Sequence, residues 1–94
     1  MRIAFGFDER THLIETVRKN LEERGCELIM FAPGEGEAAV WPRVAREAAE
    51  AVAEGRADEG IVMCWTGTGV SIAANKVTGI RAALCDDAET ARGA

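Results

Sequence analysis

Aromatic residues are scarce in this chain: two tryptophans, three phenylalanines and no tyrosine. Alanine is abundant instead, which suits a compact α/β protein with close helix–sheet contacts. Basic residues are also few. Eleven Lys and Arg against sixteen Asp and Glu leave a net charge of −5, whereas a nucleic-acid surface needs a basic face. A small phosphorylated molecule needs only a local positive field and stays open. No apolar run approaches the ~18 residues of a membrane span. Cys26, Cys64 and Cys85 fit neither a zinc pattern nor a CxxC redox motif, so no metal is expected. An odd cysteine count without a signal peptide points to reduced thiols in the cytoplasm. Repeats, low-complexity tracts and linkers are absent. The 94 residues therefore make one domain, small enough to bury only about 60–65% of its unfolded surface.

Periodicity supplies the architecture. Arg2 to Phe7 reads as a first strand, and Leu13, Ile14, Val17 and Leu21 as one face of a helix that Gly25 ends. Glu27 to Phe31 is a second strand, followed by a loop at Pro33-Gly34-Glu35-Gly36. Trp41, Val44, Ala45, Ala48 and Val52 form the next helical stripe, with Pro42 in its first turn and Gly55 closing it. Gly60 to Cys64 is apolar throughout, as in a strand buried on both faces in mid-sheet. A short helix from Gly69 to Val77, a fourth strand from Ile80 to Cys85 and a last helix from Asp86 complete the series. Asp86 and Glu89 have the spacing of a capping box. That helix, barely two turns with Ala88 and Ala91 to bury, is marginal alone. The expectation is that the chain is cut or leans on a partner. Strands alternating with helices predict a parallel sheet with right-handed crossovers and helices on both faces, a three-layer α/β/α sandwich.

Ligands of such sheets bind outside the carboxyl ends of the strands. Gly6-Phe7-Asp8-Glu9, Cys64-Trp65-Thr66-Gly67-Thr68-Gly69 and Cys85-Asp86-Asp87 meet there. In the second segment, backbone N–H groups before a helix N-terminus can converge on one spot and hold a phosphate or a developing oxyanion. The segment is neither a Walker A loop nor GxGxxG, which argues against a dehydrogenase-like nucleotide binder; its plain alternative is a tight turn. A thiol at the position of Cys64 faces a helix N-terminus, where thiolates are favoured, and can act as base or nucleophile. The alternative is an inert core cysteine, the reading that holds for Cys26 and Cys85 at strand ends. Asp8 is placed either to bind sugar hydroxyls or to cap the first helix. Trp41 walls a pocket or joins the core, and Ser71 can donate to an anion. Arg43 and Arg81 suit solvated or structural roles better than counter-charge, and His12 suits a partly exposed helix position better than catalysis.

The stretch Gly60 to Cys85, GIVMCWTGTGVSIAANKVTGIRAALC, resembles the signature of type B ribose-5-phosphate isomerases and galactose-6-phosphate isomerase subunits. That signature reads roughly G-I-L-I-C-G-T-G-x-G-x-S-I-A-A-N-K-x-x-G-I-R-A-A. The opening RIAFGFD is similar to the family's first strand and Asp. Val40-Trp41-Pro42 stands where the family has Asp-Tyr-Pro, and Asp87 to Arg92 is similar to its next helix. The resemblance implies a Rossmann-like domain with five strands, four of them visible here, and a homodimer sharing active sites. It implies metal- and cofactor-free aldose–ketose isomerisation of a phosphorylated sugar through an enediolate. Cys64 matches the family's base. Thr66, Gly67, Thr68, Gly69 and Ser71 match the turn and anion hole, and Asp8 matches a substrate-binding Asp.

The departures are specific. Glu9 replaces a His, Trp65 replaces the Gly after the cysteine, and Trp41 replaces a Tyr. Glu9 would repel phosphate and Trp65 narrows the pocket mouth. Both favour the alternative of a non-catalytic sugar-phosphate-binding or regulatory module. The resemblance also places the family's ring-opening His, the Asn beside it, the phosphate-gripping arginines and the fifth strand beyond Ala94. The expectation is therefore that these 94 residues alone do not turn over ribose 5-phosphate.

Overall fold

The computed structural model describes residues 1–7, 11–32, 41–64, 68–85 and 87–93. Its elements are β1 (Arg2–Phe7), α1 (His12–Glu23), β2 (Glu27–Phe31), α2 (Trp41–Ala53), β3 (Glu59–Met63), α3 (Thr68–Asn75) and α4 (Ala88–Gly93). The sheet is parallel with order β2-β1-β3. β1 is central. Ile3, Ala4, Phe5 and Phe7 on it are all buried, because a helix covers each of its faces.

Side chains alternate across a strand, and β1 uses the two faces differently. Phe5 and Phe7 pack with Ile14 of α1, joined by Val17, Ile61 and Met63. Their rings lie 5.5 Å apart and tilted at 50°. The opposite face carries Ala4, which packs with Ala48 and Ala51 of α2 and with Val52 and Val62. Large residues thus fill one layer, while small ones bring α2 close in the other. The expected sandwich of helices on both faces of a parallel sheet is what forms.

Local chemistry sets the helix ends. Thr11 caps α1 by accepting a hydrogen bond from the Ile14 N–H, so the capping role open to Asp8 belongs to Thr11. Leu13 lies off the buried stripe and is exposed; Ile14, Val17 and Leu21 form it. At the other end the Gly25 and Cys26 N–H groups bond back to Glu22 and Leu21 carbonyls. Gly55 and Arg56 repeat this arrangement at the end of α2. Both glycines have positive φ, 83° and 79°, the conformation that glycine adopts most cheaply in this motif.

Four expectations need correction. The segment 80–85 joins no sheet among the described residues. The N–H and C=O of Ala82 are taken by the Asn75 side chain at 2.8 and 2.9 Å, not by a neighbouring strand. β3 is consequently an edge strand, half-buried rather than buried on both faces, and it ends at Met63 with Cys64 just beyond. Cys85 is exposed rather than a core thiol, while Cys26 is half-buried. Finally, the described cap of α4 is Asp87, whose carboxylate accepts from the Thr90 N–H at 2.7 Å; Asp86 lies outside the described residues. Hydrogen bonds from Thr90, backbone first and then side chain, hold the Asp87 carboxyl below the ordinary carboxylate value. α4 buries no residue.

α2 packs tightly on the sheet at Gly6. A Cβ there would stand 2.9 Å from Val44 Cγ1 and 3.3 Å from Val62 Cγ1, and Val44 is itself fully buried. Gly6→Ala should therefore cost about 1–3 kcal/mol through overpacking. The penalty should shrink in a Val44→Ala background, a coupling that urea unfolding of the double-mutant cycle measures. A neutral Gly6→Ala, or strictly additive losses, would show that α2 does not press on β1.

Candidate active site

Because all three strands run the same way, Phe7, Phe31 and Met63 end at one edge of the sheet. Phe7 of β1 is registered directly opposite Met63 of β3. The next residues along the two strands are Asp8 and Cys64. Helices α2 and α3 begin on the same side, since each follows a strand that ends there. The register that packs the core therefore brings the end of β1, Cys64 and the start of α3 to one end of the molecule.

Cys64 is half-buried in the first position after β3. Four residues on, Thr68 opens α3, with Gly69 and Ser71 in its first turn, both half-buried. Val70 and Ala74, one turn apart, are the buried face of α3, which packs against α2. That anchoring holds the N-terminus of α3, with its positive dipole end, just beyond the strand that delivers Cys64. A thiol followed by a helix start is an arrangement suited to stabilising negative charge.

Of the other sequence candidates, Trp41 opens α2, and its side chain lies outside the described residues, as does that of Thr68. Asp8, Glu9, Trp65, Thr66 and Gly67 also lie outside them. His12 is exposed at the start of α1. Arg43 is half-buried and pairs with Glu47 one turn along α2 at 3.8 Å. Arg81 is exposed. Among the described residues no group of three His, Cys, Asp or Glu is placed to hold a metal ion, and no helix is long and apolar enough to cross a membrane.

Sequence reasoning passed over Asn75. It is the last residue of α3 and lies one helical turn from Ser71, whose carbonyl accepts from Asn75 Nδ2 at 3.0 Å. The same amide brackets Ala82 from both sides of its peptide groups. The available signal was the SIAANK block, in which an Asn at a helix end followed by a Thr-Gly turn has a backbone to bond.

Comparison with known proteins identifies the family. Residues 3–94 match the model of the Ribose/Galactose Isomerase family. The chain is 41% identical over 92 residues to ribose-5-phosphate isomerase B of Escherichia coli, covering 97% of this chain and 62% of that protein. It is 38% identical over 96 residues to D-erythrulose-4-phosphate isomerase of Pectobacterium atrosepticum, covering 100% and 63%. Among solved structures, ribose-5-phosphate isomerase B of Clostridium thermocellum superposes with a TM-score of 0.89 at 44% identity, over 98% of this chain and 63% of that one. The chain thus spans about three fifths of the length of the curated relatives it matches. With its parallel Rossmann-like sheet, its cysteine at the end of β3 and a match running from the first strand to the last helix, the chain belongs to the Ribose/Galactose Isomerase family.

Proposed function

We propose that this chain carries the proton-transfer centre of an aldose–ketose isomerase acting on a phosphorylated sugar of the ribose 5-phosphate type. The observation that carries the reading is the succession of Cys64, at the carboxyl end of β3, and the N-terminus of α3. The Cys64 thiolate removes the proton from C2 of the open-chain aldose. The electrons released form the C1=C2 bond, and the C1 carbonyl oxygen becomes an oxyanion. The thiol exchanges its proton with solvent; delivery of a proton from it to C1, while the O2 proton passes to O1, gives the ketose and restores the thiolate. No electrons are gained or lost overall, so the step needs no redox partner.

The negative charge on the enediolate is the reason for the glycine-rich turn. Backbone N–H donors aimed at a developing charge act without reorganising, and in a partly water-excluded site each is worth far more than in bulk water. In this reading Thr66 assists Cys64, and Gly67, Thr68, Gly69 and Ser71 form the anion hole. Asp8, Glu9 and Trp41 contact the sugar. Relatives act on sugars of different length, as their names state. The carbon count of the substrate is therefore set outside the shared proton-transfer centre. A second reading, a sugar-phosphate-binding module without turnover, draws on Glu9 and Trp65 and predicts binding that survives loss of Cys64.

Alkylation separates the two. Cys85 is the most exposed thiol and serves as the reference for accessibility. Cys64 should react faster at neutral pH than its partial burial allows, and ribose 5-phosphate should protect it. In the full-length protein Cys64→Ala should lower kcat by ~10²–10⁴-fold, the usual contribution of a positioned acid or base, with the fold retained by circular dichroism. Retained turnover would remove Cys64 from the mechanism.

The same proposal includes self-association as a homodimer with a shared site. Support comes from the exposed apolar residues Ile72 of α3 and Leu84, and from the outer edge of β3, which pairs with no strand among the described residues and can recruit a partner. Repulsion from the net charge of −5 is screened beyond ~8 Å at physiological salt. Sedimentation at micromolar concentration should show a dimer or larger species. A folded monomer of 10.1 kDa would contradict it.

A further inference from the structure

We infer that Asn75 is a positioning residue that fixes the anion-binding turn of α3 to the segment 80–85; this rests on the isomerase reading above. Its side-chain amide has two N–H donors and one acceptor oxygen, and all three functions are engaged. Nδ2 donates to the Ser71 carbonyl at 3.0 Å and to the Ala82 carbonyl at 2.9 Å, while Oδ1 accepts the Ala82 N–H at 2.8 Å. One planar group therefore ties the turn of helix that bears Ser71 to a backbone seven residues further on.

The geometry is that of one rung of a sheet, supplied by a side chain. In an extended segment the N–H and C=O of one residue point the same way, and Asn75 meets both. Between the two partners the chain reverses through 76–80, where the Ile80 N–H bonds to Val77 and Gly79 has a positive φ of 89°. The loop is thus closed at its neck by Asn75 and shaped at its tip by a tight turn. Its far segment runs from Ala82 to Cys85, toward the Asp87 cap of α4. Val70 and Ala74 already fix α3 against α2. What they leave free is small rotation and sliding of the exposed side of the helix, the side where Asn75 lies. A hydrogen-bonded clamp there removes that freedom. Anion-hole donors tolerate little displacement, because misplacement of ~1 Å can cost ~10²-fold in rate.

Two substitutions separate the bonds. Asn75→Ala removes all three. Asn75→Asp keeps the acceptor for the Ala82 N–H but loses both donors, and it serves where the alanine variant does not fold. With the 15N-labelled chain, Asn75→Ala should speed amide exchange at Ala82 about tenfold, roughly the protection given by one net hydrogen bond. It should also shift the Gly69 and Ser71 amide resonances. Asn75→Asp should leave Ala82 largely protected and still shift Ser71. In the full-length isomerase both variants should lower kcat by up to ~10²-fold and leave KM nearly unchanged, since anion-hole donors act mainly on the transition state. Unmoved Gly69 and Ser71 resonances would overturn the inference. So would a lower melting temperature with kcat per folded molecule at the wild-type value. If the wild-type enzyme itself failed to isomerise, the functional reading would fall, and the resonance and exchange data would still decide whether Asn75 couples the two segments.

Discussion

Ala4 and Gly6 leave almost no side chain between β1 and α2, so the helix rests on the sheet at van der Waals distance and Val44 fills the space that a Cβ on Gly6 would claim. The rest of the molecule follows from that contact. With α2 seated on Ala4 and Gly6, the bulky Phe5 and Phe7 must face α1, which gives the sheet two unequal layers. β1 then has to pair on both sides, and its register with β3 sets Phe7 against Met63. The residue after Met63 is Cys64. A packing constraint in the core therefore decides where the thiol stands, and α3 is seated on the same α2 through Val70 and Ala74.

Most of the architecture was legible where periodicity and end signals agreed. β1, β2 and α2 appear as the alternation and the stripe predict, and Gly25 and Gly55 end their helices because a left-handed residue closes both C-terminal motifs. Where two residues could meet the same need, sequence alone could not choose between them. Asp8 and Thr11 both carry an oxygen suited to an N-cap, and the helix begins after Thr11. Asp86 and Asp87 are adjacent carboxylates, and the bond to Thr90 uses the second. Leu13 belongs to the helical pattern by type and not by angle, since Ile14, Val17 and Leu21 already complete the stripe.

The larger miss was at 80–85. Its composition is that of a strand, yet pairing depends on what offers a ladder, and a strand-like pattern says nothing about a side chain that competes for the same backbone. Asn75 does so at Ala82. The apolar character of Gly60 to Cys64 was likewise read as burial on two faces, whereas the strand lies at the edge of the described sheet and ends at Met63. For the candidate site, Cys64, Gly69 and Ser71 stand where their spacing put them relative to β3 and α3. The contribution of Asn75 was hard to read because its partners are backbone atoms, signalled only by its place at a helix end before a turn.

The account turns on a carbon-bound proton passing through a thiolate. Its most direct measurement is turnover of ribose 5-phosphate in deuterium oxide, with the label followed by NMR in recovered substrate and product. An enediolate formed by Cys64 predicts solvent deuterium at C2 of the aldose and C1 of the ketose, with no label in the Cys64→Ala protein. Isomerisation that keeps every carbon-bound hydrogen would point to a hydride shift and contradict the account, as would undiminished labelling without the thiol.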